Sequence, residues 1–383
     1  MKLDLKPLSN PILFVGDNPA LHGGLSRIGR DLATLAATMP EFRVGYLGRG
    51  MGNTRKLPFT LYAYPEYLEW GQTILEEVWN DFSGGEAGVV MTLDDPSRRY
   101  WFAQGDNTKF LGPGRNFKKW GYFPIDSVGF GGFSLPIMGR LTLQGYDRVL
   151  AASEWGRNVA STDSVKADWL PHGIFGKFRP CVSDPKCNLI TIGCVMANQQ
   201  RKDFPAAFEC FWDLKQKWGN NFQAWLHVDV VKRYWDVANL ILDYGVGDCI
   251  EVTTSLTDDE LAVRYSSCHC TILPSAGEGF GYPIAESMAC GTPCIVTGYG
   301  AGKELVANDC VAPIKALKME TIHNVLRAVV DGGDFAQLAA WRAQEKKDDW
   351  EGVTKRVSDS VRHLRWEHLK TPWEKWFREG LCR

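Results

Sequence analysis

"PSAGEGFGYPIAESMACGTPC", Pro274–Cys294, follows the apolar run "CTIL" and leads into a second run, "CIVTG". The first run reads as a buried strand. Pro283 suits the opening position of a helix, where its missing N–H would have had no partner, and Gly291 suits the helix end. Strand, glycine turn, short helix and strand in that order make a parallel α/β unit, so this stretch predicts the fold class.

Amide groups at a helix start point outward and carry partial positive charge, which favours an anion such as phosphate. Gly279 and Gly281 let the main chain approach such a ligand, because no Cβ stands in the way. Phe280 lies between them. A carboxylate beside an anion seat needs another task, and accepting paired hydrogen bonds from vicinal hydroxyls is one. Glu278 on the loop is expected to hold the hydroxyls of a sugar. Glu286, expected in the first helical turn, would hold a ribose diol. A phosphate flanked by two polyols describes a nucleotide-sugar.

Outward from this stretch, short apolar runs recur between turn residues, among them "ILFVGD", "RVGYLG", "GVVMTLD", "RVLAAS", "NLITIG" and "QAWLHVD". Several are separated by helix-length segments. In the first of these Leu25, Ile28, Leu32, Leu35 and Met39 fall on one helical face. Strands alternating with helices imply parallel sheets covered on both faces, and the runs form two such sets. The turn-rich segment Pro171–Asn188 marks the change of set. The expected domains are 1–178, 179–355 and a tryptophan-rich helical tail, 356–383, interrupted at Pro372. Such a tail needs an apolar surface, and the N-terminal domain is the candidate.

Over 383 residues, hydrophobic content is 45% and charged content 23%, ordinary for a globular protein large enough for two cores. No run approaches the roughly 18 apolar residues of a membrane span. The N-terminal "MKLDLKPLSNPILFVGD" is too short in apolar residues for a secretory leader, so a cytoplasmic location is expected. All eleven cysteines lie at or beyond Cys181 without paired spacing, which favours small core residues over disulfides or a zinc site. "CHC", Cys268–Cys270, reads as structural, since strand alternation would turn His269 away from both thiols. Asp94 and Asp95 in "LDDPS" read as a turn or cap rather than a metal site. His172 in "PHG" reads as structural.

The Glu278–Glu286 stretch resembles the E-x7-E signature of retaining glycosyltransferases of the GT-B fold. That large family includes glycogen and sucrose-type synthases and many mannosyl and glucosyl transferases. The resemblance implies two doubly wound Rossmann-like domains facing a central cleft. "ITIGCVMANQQRKDFPAAFECF" resembles the family's strand, loop and helix that grip the donor diphosphate, which makes Arg201 and Lys202 the implied pyrophosphate clamp. Cys194 and Ala197 stand where many relatives carry a further arginine. "GDNPALHGGLSRIGRDLATL" is similar to the family's diglycine turn, with Gly23 and Gly24 close to the reacting sugar and phosphate. "GYFPIDS" matches a further family pattern and makes Asp126 a candidate for holding donor or acceptor sugar. The implied catalytic set is Glu278, Asp126, Arg201 and Lys202. A nucleotide-sugar, with UDP the commonest base among relatives, would be the co-substrate, and no metal or other cofactor is expected.

"RRYWFAQGDNTKFLGPGRNFKK", Arg98–Lys119, interleaves cations with aromatics in the expected acceptor domain. Arg98, Arg99, Arg115, Lys118 and Lys119 are therefore candidates for acceptor binding. Base stacking and phosphate contacts would suit DNA, so the reading leans to a hydroxylated base of modified, phage-type DNA. An anionic lipid surface, through peripheral membrane association, fits the same residues. Glycan or lipid-linked acceptors are the alternative within the transferase class. A nucleotide-sugar epimerase and a non-catalytic nucleotide-sugar sensor are alternatives outside it. The sequence leaves sugar, base and oligomeric state open.

Overall fold

The protein is described by a computed structural model covering residues 9–381 apart from His22, 53–54, 106–115, Phe133, Asp163, 183–187 and Ile322. The chain divides into two compact units. One comprises Met1–His172, His323–Val325 and Lys370–Arg383, the other Gly173–Ile322 and Leu326–Leu369. Both are α/β with a wholly parallel main sheet, so the two-domain, doubly wound expectation is met.

In the first unit the strands are β1 (Asn10–Asp17), β2 (Phe42–Arg49), β3 (Thr60–Tyr64), β4 (Gly88–Leu93), β5 (Phe117–Phe123), β6 (Arg148–Ala151) and β7 (Ala167–Trp169). They lie in the order β3-β2-β1-β4-β5-β6-β7. The chain thus builds outward on one side of β1, then returns to its other side. Crevices form where connections diverge in this way, outside the carboxyl ends of the strands, here those of β1 and β4. Buried Ile28, Leu32 and Leu35 turn the helix Gly24–Ala37 onto the sheet, as its apolar spacing predicts.

The second unit repeats the plan. Its strands are β8 (Ile190–Val195), β9 (Phe222–His227), β10 (Ile250–Thr253), β11 (Cys270–Leu273), β12 (Cys294–Thr297) and β13 (Val311–Ala312), in the order β10-β9-β8-β11-β12-β13. Its divergence point lies between β8 and β11. Every residue of β11 and β12 is buried, as expected of strands covered on both faces.

The terminal helix Trp366–Leu381 contains Pro372 without interruption, contrary to the expectation that the proline would break it. Its later turns lie in the first unit. There Trp373 and Phe377 are fully buried, Trp376 meets Trp120 edge-on at 5.2 Å, and Trp373 meets Tyr122 at the same distance. Proline inside a helix costs about 3 kcal/mol, whereas each buried aromatic contributes about 1.5–3 kcal/mol. Three such rings outweigh one missing hydrogen bond.

Cys268 and Cys270 are buried, and His269 accepts from the Thr191 amide at 3.2 Å while its ring meets Trp350. Among the described residues no group of three or more His, Cys, Asp or Glu is placed to hold a metal ion. Among them, too, no helix is long and apolar enough to cross a membrane.

Candidate functional site

At the carboxyl end of β8 the chain turns through Ala197–Lys202 before the helix Phe204–Trp218. Asp203 caps that helix by accepting from the Ala206 amide, and Pro205 occupies its first turn. The Asp203 amide donates to the Pro274 carbonyl at 2.9 Å, and the Ala276 amide donates to the Arg201 carbonyl at 2.7 Å. Lys202 and Ser275 form an antiparallel bridge. These bonds fasten the β8 turn to the loop after β11, across the divergence point.

The clasp brings three charges together. Arg201 Nη1 donates to Glu278 Oε1 at 2.8 Å, to the Gly277 carbonyl at 2.9 Å and to Ser275 Oγ at 3.2 Å. Lys202 Nζ donates to the same Glu278 oxygen. Lys202 is 4% exposed and Glu278 8%, so Lys202 does not sit on a solvated helix start. Arg201 keeps the most solvent contact, with 24% of its side chain exposed.

Burial by itself would raise the Glu278 pKa, but Arg201 and then Lys202 outweigh it and hold the carboxyl at about 2. Lys202 is lowered to about 8, chiefly by burial and then by Arg201, against the pull of Glu278. Both shifts are downward, but the first favours the charged form and the second disfavours it, because Glu278 faces two cations while Lys202 faces one carboxylate and a like charge. A carboxylate between two cations is ionised throughout the neutral range, whichever cation holds its proton more tightly.

The glycine loop behaves as its sequence predicts. Gly281 adopts φ 97°, ψ 63° at the N-cap of the helix Tyr282–Ala289, which carries Pro283 in its first turn. Gly291, at φ 80°, follows the helix end. Gly279 and Phe280 are buried, and the Phe280 ring meets Tyr282 at 5.6 Å. Glu286 departs from expectation: it is the fifth residue of the helix, past the first turn, and 4% exposed. Tyr265, from the helix Asp258–Ser267, donates to Glu286 Oε2 at 3.4 Å.

Sequence reasoning missed Tyr265, Ser275 and the segment after β12. A Cβ on Gly300 would lie 2.9 Å from the Glu278 carbonyl oxygen and 3.0 Å from its nitrogen, and the Ala301 amide donates to that carbonyl at 2.8 Å. "TGYGAG" was the available signal, since paired glycines after a strand mark close backbone approach. Cys194 is fully buried in β8.

In the first unit Gly23, at φ 136°, is the N-cap of the helix that Gly24 opens, after the end of β1. Asp126 follows β5 and accepts from Ser127 Oγ at 2.9 Å. Its charge, after burial, raises the pKa of Asp95. Asp95 caps the short turn Pro96–Arg99 by accepting from the Ser97 amide, the capping reading of "LDDPS". Buried His172 meets the Tyr122 hydroxyl at 2.6 Å, and burial lowers its pKa to about 3, which makes it a neutral structural group.

Two of the expected acceptor-binding cations are core groups. Arg99 is fully buried, pairs with Asp94 at 2.9 Å and donates to the Trp70 carbonyl. Lys119 is fully buried in β5 and donates to the Ala103 carbonyl at 3.0 Å. Neither can meet a nucleic-acid backbone, because each already neutralises or satisfies a buried oxygen. Lys118, on the opposite face of β5, is half-buried and Arg98 is exposed. Arg115 lies outside the described residues.

Comparison with known proteins bears on the fold and on the segment that holds the glycine loop. Residues 232–344, which include Glu278 and Glu286, match the model of the family "Glycosyl transferases group 1". That segment is similar to this family, and the chain as a whole has a GT-B fold. The MMP alpha-(1->4)-mannosyltransferase of Mycolicibacterium hassiacum is 33% identical over 94 residues, 24% of this chain and 23% of that protein. The match thus spans about a quarter of that curated relative. Over nearly whole chains, the sucrose-phosphate synthase of Thermosynechococcus elongatus superposes with TM-score 0.75 at 17% identity, covering 97% of this chain and 99% of that one. Anabaena HepE in complex with UDP and glucose gives 0.71 at 14% identity, with the same coverage.

Proposed function

We propose that the protein is a retaining glycosyltransferase that moves a sugar from a nucleoside-diphosphate sugar, with UDP the leading base, to a hydroxyl of a sugar or polyol acceptor. The observation that carries this reading is the convergence of Arg201, Lys202 and Glu278 beside a glycine loop, at the point where the second sheet diverges. Arg201 and Lys202 neutralise charge that builds on the leaving diphosphate, and amides of the loop and the Tyr282–Ala289 helix start add to it. Glu278 orients the sugar through its hydroxyls, and Glu286, held by Tyr265, takes the ribose diol. The bond from the anomeric carbon to the diphosphate breaks as the bond to the acceptor oxygen forms on the same face. The acceptor proton passes to a phosphate oxygen. Asp126, Gly23 and Gly24 are assigned to sugar contacts in the first unit.

A modified DNA base loses ground as acceptor because Arg99 and Lys119 are core residues. A sugar or polyol hydroxyl needs no such cationic track. Incubation with UDP-, GDP- and ADP-sugars tests the reading. Slow hydrolysis of one donor, lowered roughly 100- to 1000-fold in Lys202→Ala, is the expected result. Release of a free epimer would assign an epimerase instead, and tight binding without turnover a sensor.

A further inference from the structure

We propose that Glu278 makes the clamp select nucleotide-sugars over bare nucleoside diphosphates, by occupying Arg201 and Lys202 until sugar hydroxyls give its carboxylate another partner. This rests on the donor-binding reading above and adds a discrimination to it.

The clamp is already occupied by a carboxylate. Both cations donate to one oxygen of Glu278, which lies 8% exposed between them. A diphosphate that takes those cations competes with that carboxylate for them. The glutamate cannot retreat with its loop. Its carbonyl is held by the Ala301 amide at 2.8 Å, and Gly300 lies against its backbone where even a Cβ would not fit. Only the side chain can turn.

Two ligands then meet different costs. A bare diphosphate draws those cations from Glu278 and leaves a buried carboxylate with the neutral Ser275 hydroxyl in their place, beside a second anion, an arrangement penalised in a protein interior. A nucleotide-sugar brings hydroxyl donors with its phosphates, so the carboxylate exchanges two charged partners for two or more hydroxyls. The same side chain therefore opposes the product and accommodates the substrate. After transfer, loss of the sugar returns Glu278 to the cations and weakens the hold on the leaving nucleotide, which favours release. Glu286 is held differently, accepting from the neutral Tyr265 hydroxyl at 3.4 Å.

Isothermal titration of the full chain near pH 6.5, where Lys202 stays protonated, provides the test. The probes are UDP with UDP-glucose, GDP with GDP-mannose, ADP with ADP-glucose, and inorganic pyrophosphate. For the pair that the wild type binds, Glu278→Gln is expected to bind the bare diphosphate about tenfold more tightly, the change that 1.4 kcal/mol makes. Affinity for the nucleotide-sugar should stay level or fall, so the ratio between the two collapses. Glu286→Gln should leave bare-diphosphate affinity without that gain. Because a merely structural glutamate would weaken both ligands together, the ratio separates the two roles. Should Glu278→Gln fail to fold, Glu278→Asp, which keeps the charge but draws it back from the cations, should move the ratio in the same direction by less. Unchanged or weaker diphosphate binding in the folded variant overturns the selection role alone. No binding of any nucleotide, nucleotide-sugar or pyrophosphate by the wild type overturns the donor-site reading with it.

Discussion

Each sheet places a carboxylate and two cations at its divergence point, and the two clusters differ in where the cations come from. At β4 of the first unit, Asp94 is held by Arg98 at 3.2 Å and Arg99 at 2.9 Å, all from one short stretch of chain. Trp70 lies between Arg49 and Arg98, whose guanidinium carbons stand 4.4 and 4.7 Å from its ring centre. At β11 of the second unit, Glu278 is held by Arg201 and Lys202, which belong to a different loop. A cluster closed within one segment, capped by an aromatic ring, is locked as that segment folds. A cluster assembled from two loops keeps a partner that a ligand can replace. The first cluster therefore fits an architectural part, and the second is the one proposed as the donor site.

The largest test of that contrast is Lys202→Ala. Removing one donor aimed at developing charge should lower turnover roughly 100- to 1000-fold while leaving the fold in place, because Arg201 still balances Glu278. Steady-state kinetics with the accepted donor would measure it. Next in size, Arg99→Ala should cost about 3 kcal/mol of stability, since Asp94 would be left buried with only the exposed Arg98. Urea unfolding should show that loss, whereas donor affinity of the folded variant should match the wild type. If donor affinity fell instead, the two clusters would not divide as described.

Acid tests the second cluster next. The Glu278 carboxyl is lowered from an ordinary 4.5 to about 2, so the stability it contributes is complete above the unfolded value and is lost as pH falls from about 4.5 toward 2. Thermal melting across that range should show the loss in the wild type and a shallower one in Glu278→Gln. The smallest effect is expected for Arg98→Ala, at or below about 1 kcal/mol, because an exposed cation is screened by solvent. A larger loss, read in the same urea titration, would show that Arg98 clamps Trp70 rather than merely facing Asp94.

The turn chemistry of the second unit was legible because it is local. Gly281, Pro283 and Gly291 each act through backbone geometry within a few residues, and the alternation of runs and helical segments reports sheet type without distant contacts. Glu286 was placed one turn early because a helix start cannot be fixed to the residue from composition. Arg99 and Lys119 were misjudged for a different reason. A charged side chain reads as exposed until its buried partner is known, and their partners, Asp94 with the Trp70 carbonyl and the Ala103 carbonyl, are revealed only by packing. Pro372 stayed inside its helix because the cost of a proline is local, whereas the burial of Trp373, Trp376 and Phe377 that offsets it is not.

Sequence alone determined the parallel α/β class, the two repeated sets of strands, and the glycine loop with its pair of glutamates, since each follows from short-range periodicity or backbone freedom. Tertiary structure decided which charges are core and which gather at the proposed donor site, that Tyr265 holds Glu286, and that Glu278 sits on Arg201 and Lys202. Electrostatic partnership depends on distance and burial, and for residues from separate loops neither exists until the chain has folded.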